Sequence, residues 1–318
     1  MLPYTLDNHF TFGYGDKTFN VEEASPHLNF WCNYSRAKYI PTSFKEECIK
    51  TAISLGESAK VLGRKPTILL SGGMDSHIVV KSFLEAGIDF HSVTNRFYRD
   101  LNNHETLYVD RLKKEHNFSH EYVNIDIEKF FKSDEAMSMA DETFCAYPQM
   151  LPTMKLMQRV WDRGGMPILG NGDFYAFRYI NPKWRLIDFN EPKYVWEYIE
   201  YEYILAWFRY AIKHGIVGGI GFFQHNPEIV LAMGIEDHIV QTITGDNAGK
   251  QSTRSSKYEV YKKYWPELEN RQKYHGGEKI SGLCDMIRKN ILLPKYSDYE
   301  RKWTIEYNSY INLLMPND

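Results

Sequence analysis

The sequence predicts an α/β protein, a doubly wound parallel sheet with a mainly helical C-terminal region. Three observations predict it. Between residues 66 and 170, short apolar runs alternate with segments of helical apolar spacing, the pattern of strands joined by crossover helices. One strand-to-helix junction, Ser71-Gly72-Gly73-Met74-Asp75-Ser76, sets paired glycines between two apolar runs, so the backbone there curls tightly. After residue 180 the strand pattern gives way to long aromatic, amphipathic segments.

The elements follow in order. Phe10 to Asn20 (F-T-F-G-Y-G-D-K-T-F-N) reads as a hairpin turning at Gly13 to Asp16. Thr42-Ser43, with Glu46 and Glu47 behind them, cap a helix reaching Val61. Residues 67–70 form a short buried strand, 77–86 a helix, and Gly87 stands at its C-terminal end. Strands are expected at 89–97, 120–126 and 166–170, and helices at 104–116 and 148–163. Residues 194–213 read as one long helix, with further helices and no clear strand beyond it. The expected organisation is an N-terminal hairpin and helix extension over 1–60, an α/β domain over 61–180 and a helical region over 181–318.

Composition narrows the chemistry. The 318 residues carry 38 basic and 41 acidic side chains, a net charge of −3, which argues against a nucleic-acid partner unless a local patch supplies one. The basic run from Arg254 to Lys263 reads as a solvated helix face. Cys32, Cys48, Cys145 and Cys284 are widely separated with no C-x-x-C, which gives little support to a zinc site, an iron–sulfur cluster or a dithiol redox centre and suits a reducing compartment. The first residues, M-L-P-Y-T-L-D-N-H-F, have no basic leader or apolar core, and no apolar stretch is long enough to span a bilayer. The expected location is cytoplasmic, without membrane contact.

The junction at 71–76 has its own logic. Gly72 and Gly73 let the backbone approach a ligand, and the amides of the curl join a helix N-terminus as an anion cradle. Ser71 and Ser76 add hydroxyls. Asp75 would repel phosphate unless Mg²⁺ bridges the two. The Walker pattern is absent.

S-G-G-M-D-S resembles the PP-loop of the N-type ATP pyrophosphatases, whose fold is of the adenine nucleotide alpha hydrolase type. The strand and helix V-T-N-R-F and N-H-E-T-L-Y-V-D-R-L, the turn P-I-L-G-N-G-D-F (167–174) and the segment K-Y-E-V-Y-K-K (257–263) resemble the synthetase domain of asparagine synthetase. The resemblance covers residues 60 to 280. It implies that ATP and its pyrophosphate are held by Ser71, Gly72, Gly73, Asp75, Ser76, Thr94, Gly170, Gly172 and Lys257. It also implies that Mg²⁺ is held by Asp75 and Asp173, and that Asp75 and Lys257 serve catalysis; Arg271 and Lys273 are weaker candidates. Asn171 departs from the family by replacing an acid, and the turn lacks the family's paired D-E. With Leu at position 2, a first cysteine at Cys32 and the loop already at 71, no room for a glutaminase domain is expected. The implied reaction adenylates a small-molecule carboxylate and passes it to ammonia or an amine, supplied free, by a second substrate or by a separate subunit. The alternatives are adenylation of a nucleobase carbonyl, as in tRNA-modifying PP-loop enzymes, and an ATP-binding protein without catalysis.

Other features read as structural. His116 and His120 straddle a turn, so a shared metal is not expected. G-I-V-G-G-I-G (215–221) lacks a dinucleotide pattern and reads as a turn or substrate-facing loop. Asp141-Glu142 either face the substrate or cap the next helix, and Cys145 is a small buried residue.

Overall fold

The computed structural model describes residues 10–14, 30–34, 36–171, 178–180, 195–197, 200–244, 253–271, 278–296, 302–303, 311–312 and 314–317. Its centre is a parallel sheet of β3 (Lys65–Leu69), β4 (His91–Phe97), β5 (Ser119–Ile125) and β6 (Gly165–Leu169), in the order β5-β4-β3-β6. Leu69 pairs with Val93 on one side and Leu169 on the other. The chain runs outward from β3 through α2 (Met74–Glu85) to β4, then through α3 (Asn103–Glu115) to β5. It returns through α4 (Ile127–Phe130), α5 (Asp134–Thr143) and α6 (Leu151–Asp162) to β6, on the far side of β3. The strand order therefore reverses between β3 and β6, and their carboxyl ends open the crevice where such sheets bind ligands.

Side-chain alternation along the strands builds two cores. Ile68 and Leu70 face a cluster containing Leu55 of α1 (Phe44–Val61), Val79 and Phe83 of α2, and Val109 of α3. Leu69, Val93 and Phe97 face the opposite cluster, with Ala140 of α5 and Met154, Met157 and Val160 of α6. Each such Val, Leu, Ile, Phe or Met side chain contributes about 1.5–3 kcal/mol by burial, and the central strands β3 and β6 are buried along almost their whole length. The sequence-based prediction of a doubly wound sheet is met.

The C-terminal part follows as β7 (Arg178–Ile180), β8 (Val195–Glu197), β9 (Glu200–Tyr201), α7 (Glu202–Lys213), α8 (Pro227–Gly234), α9 (Asp237–Thr244), α10 (Thr253–Tyr264), α11 (Ser281–Ile287), α12 (Leu293–Tyr296) and β10 (Lys302–Trp303). It is mainly helical and it joins the same cores. Tyr261 of α10 stacks against both Phe44 and Phe223, with ring centroids 5.9 and 6.1 Å away, and Trp265 is 1% exposed. Those rings fix α10 against α1.

Two expectations need correction. The N-terminal strand β1 (Phe10–Tyr14) pairs with β2 (Phe30–Tyr34), not with residues after Gly13, and Gly13 lies within the strand opposite Trp31. The helix expected from 194 begins at Glu202; the alternating aromatic and acidic residues before it form β8 and β9, paired to β7 and β10. Strands therefore do occur after residue 180. The glycines of 215–221 serve the sheet: Gly219 bridges Ile168, and its carbonyl accepts from the Leu169 amide at 2.9 Å. An ideal Cβ on Gly218 would lie 2.2 Å from the Pro167 carbonyl oxygen. Among the described residues no helix is long and apolar enough to cross a membrane.

Gly218→Ala should thus force residues 216–221 off the edge of β6. Thermal unfolding should show a loss of about 1–3 kcal/mol, and an unchanged midpoint would contradict the close backbone packing.

Candidate active site

The crevice is floored by the junction between β3 and α2. Leu70 is still held by the sheet, its amide donating to Val93 at 2.8 Å. The chain then reverses at Gly72, whose φ is +83°. A Cβ there would stand 2.3 Å from the carbonyl oxygen of Glu105, in the first turn of α3. Only glycine meets both demands. Gly73 is the N-cap of α2 with extended backbone and no side chain to cap the helix, so the first-turn amides keep their partial positive charge for a ligand.

α2 starts at Met74, three residues earlier than the apolar pattern suggests. Asp75 and Ser76 thereby belong to its first turn. The two serines brace the curl from within. The Ser71 amide donates to Ser76 Oγ at 3.2 Å, the hydroxyls lie 3.1 Å apart, and Ser76 Oγ donates to the Gly73 carbonyl at 3.1 Å. Ser76 is 3% exposed. Its hydroxyl is therefore a loop staple, while Ser71 and Gly73 lie at the surface of the crevice. Thr94 is also buried, and its hydroxyl donates to the Leu70 carbonyl at 2.5 Å; it holds strands β3 and β4 together where the loop departs.

From the other side of the crevice comes Gly170, at the end of β6. A Cβ on it would stand 2.8 Å from the Ser76 amide nitrogen, so a larger residue would collide with the start of α2. Asn171 follows. Its backbone carbonyl is fixed by the Phe223 amide at 3.2 Å. Among the described residues both polar atoms of its carboxamide are buried without a hydrogen-bond partner, a state that native proteins seldom leave unanswered. Gly172 and Asp173, predicted as nucleotide and metal contacts, lie outside the described residues, as does Lys273.

α10 supplies the charge. Lys257, 6% exposed, places Nζ 2.5 Å from Asp75 Oδ1, and the Tyr261 hydroxyl donates to the same oxygen at 2.7 Å. Lys257 and Tyr261 are one helical turn apart, so they share the face turned to the loop. The structure thus joins the N-terminal motif to a residue 182 positions later, between Asp75 and Lys257. The basic run is otherwise a solvated face, with Lys262 and Lys263 exposed.

Beneath the loop lies Arg271, buried, donating from Nη1 to the Gly72 carbonyl at 2.8 Å. Its Nη2 is 2.6 Å from His77 Nδ1, and its guanidinium carbon lies 4.4 Å from the centre of the Tyr108 ring. Arginine can only donate, so His77 Nδ1 accepts and the imidazole is neutral. Burial, then the charges of Arg271, Lys81 and His116, lower the His77 pKa to about 3.

The remaining candidates sit elsewhere. His116 ends α3 and His120 lies in β5, so they form no helical pair. Asp141 and Glu142 are inside α5, paired with Lys295 and His214, so they neither cap a helix nor join the loop. Cys145 is buried. Among the described residues, His104, Glu105 and Glu278 group their ligand atoms within 4.8 Å of one another, and His104 Nε2 pairs with Glu278 at 3.4 Å.

Residues 60–172 match the asparagine synthase family. The asparagine-synthase-like segment takes in the whole sheet, the glycine loop, Thr94, Gly170 and Asn171; it stops short of Lys257 and Arg271. It supports an ATP-utilising synthetase of the PP-loop kind. No curated protein matches the chain. Among solved structures, NMN synthetase from Francisella tularensis is similar over 74% of this chain and 100% of its own, at 13% identity and a TM-score of 0.33.

Two outcomes are expected. Gly72→Ala should cost about 1–3 kcal/mol for the positive φ alone, more with the Glu105 clash, and should abolish nucleotide binding in a calorimetric titration. For His77, the folded pKa lies below the ordinary histidine value of 6.5, so below that pH the unfolded chain binds a proton that the folded chain refuses. This contribution to stability is full above that value and is lost as pH falls toward about 3. Urea unfolding at neutral pH and near pH 4 should show His77→Asn to be less acid-sensitive than the native protein.

Proposed function

We propose that the protein is an ATP-dependent synthetase that adenylates a small-molecule carboxylate, releases pyrophosphate and delivers the acyl group to ammonia or an amine. The observation that carries this reading is the meeting of Asp75, Lys257 and the uncapped start of α2 at a glycine curl. A carboxylate resists attack because its own charge repels nucleophiles and oxide leaves poorly. Attack of a carboxylate oxygen on the α-phosphorus of ATP forms a C–O–P link and breaks the α–β bond. An amine nitrogen then forms the C–N bond, AMP departs and a proton is lost.

The chain's part is positioning and charge stabilisation. The backbone of Ser71, Gly72 and Gly73 with the first-turn amides of α2 would hold the pyrophosphate portion. Gly170 leaves room for it, and Gly172 is proposed as a further contact. Ser76 and Thr94 act through the loop and the strand end rather than by a free hydroxyl. Lys257 would offset the charge that gathers on the departing pyrophosphate.

The residues also fit Mg²⁺. Asp75 is 31% exposed, and among the described residues both of its interactions fall on Oδ1, leaving Oδ2 as the hard oxygen donor this ion prefers. Asp75, with Asp173 as a proposed second ligand, would hold it. When bound, the ion would neutralise phosphate charge. Asn171, whose carboxamide atoms are buried and have no hydrogen-bond partner among the described residues, is proposed to meet the acceptor substrate beside the α-phosphate. The amine donor and the cytoplasmic setting belong to the same proposal.

ATP–pyrophosphate exchange with pooled small carboxylates tests it. Exchange should require a carboxylate, and Asp75→Asn and Lys257→Gln should each slow it by about 10²- to 10³-fold. Exchange in Asp75→Asn at the native rate would contradict the assignment.

A further inference from the structure

We infer that Arg271 is a positioning residue for phosphate binding, acting through the Gly72 carbonyl. A backbone curl binds an anion only if its carbonyls point away from the ligand while its amides point toward it. At Gly72 that orientation has a physical holder. Arg271 Nη1 draws the carbonyl away at 2.8 Å, on the residue whose φ of +83° makes the reversal.

The guanidinium is itself fixed on two further sides. Nη2 donates to His77 Nδ1 at 2.6 Å, and the Tyr108 ring lies beneath the plane, 4.4 Å from Cζ. His77 follows the loop by one residue, in the first turns of α2, and Tyr108 belongs to α3. The three contacts tie the loop, α2, α3 and the segment after α10 to one cation. Arg271 is 7% exposed, so its charge is screened little by solvent. Its partner in the loop is the Gly72 carbonyl, whereas Lys257 meets the Asp75 carboxylate. A lysine could supply charge and one donor at this position, but not the planar fork that serves a carbonyl and an imidazole together.

The inference rests on the loop binding nucleotide phosphates, and its test separates the two claims. Binding of α,β-methylene-ATP with Mg²⁺ is measured by titration calorimetry for the native chain, Arg271→Ala, Arg271→Lys, His77→Asn and His77→Leu. Native binding is expected; its absence would overturn the nucleotide reading itself. Given native binding, Arg271→Ala should weaken affinity about 10- to 100-fold, the range for loss of hydrogen bonds from a charged donor. Added ethylguanidinium should recover part of that loss in Arg271→Ala and leave the native affinity unchanged. Arg271→Lys should fall between the two. If Arg271→Ala does not fold, the His77 pair decides: Asn retains an acceptor and should bind nearly as the native chain does, whereas Leu should bind several-fold more weakly. Native-like affinity in Arg271→Ala, a loss that ethylguanidinium does not reduce, or equal affinity in the two His77 variants would overturn the inference.

Discussion

Gly72 takes φ +83° with its ideal Cβ position 2.3 Å from the Glu105 carbonyl oxygen, and the arrangement of the crevice depends on that close approach. Because the curl can lie directly on the start of α3, β3 can end, reverse and begin α2 within a few residues. That brevity puts uncapped helix amides at the carboxyl edge of the sheet. Any side chain at 72 would lift the curl from α3, and the braces around it would lose their register together. Ser71 and Ser76 tie the curl internally, Thr94 ties its root to β4, and Gly170 lets β6 close on α2.

Charge is arranged around the same curl at a cost. Lys257 and Arg271 are both almost fully buried, and removing such cations from water costs several kcal/mol each before any compensation. Lys257 recovers part of this from Asp75, and Arg271 from the Gly72 carbonyl, His77 and the Tyr108 face. Apolar residues of similar size would stabilise the fold at least as well. Two cations converging on one glycine loop therefore suit the anionic ligand proposed for it better than they serve stability. The aromatic stack of Phe44, Phe223 and Tyr261 holds α10 so that Lys257 meets the loop.

Much of this was legible in the sequence, for definite reasons. The central strands β3 and β6 are buried along almost their whole length, so their apolar runs are plain, whereas β4 and the edge strand β5 carry polar, part-exposed residues and are read from their alternation with helices. The S-G-G-M-D-S loop was legible because glycine pairs, an acid and hydroxyls serve distinct physical needs at fixed positions. What escaped were long-range pairings. Nothing local in Phe10–Tyr14 says that its partner is Phe30–Tyr34, and the aromatic run before α7 suits a helix or a strand equally until β7 and β10 are in place. Arg271 stood only as a weaker candidate because the partners that fix it come from distant residues 72, 77 and 108. Tyr261 had a signal, its one-turn spacing from Lys257. Ser76 and Thr94 were expected to meet the phosphates; what the sequence did not show is that their hydroxyls also donate to the Gly73 and Leu70 carbonyls.

The central claim is that the curl, Lys257 and Asp75 hold ATP so that its α–β bond is broken. Phosphorus-31 NMR of the protein with ATP, Mg²⁺ and a pool of small carboxylates and amines reads that bond directly. The account predicts AMP and pyrophosphate appearing together in equal amounts, dependent on the added carboxylate. Release of ADP and inorganic phosphate would contradict it.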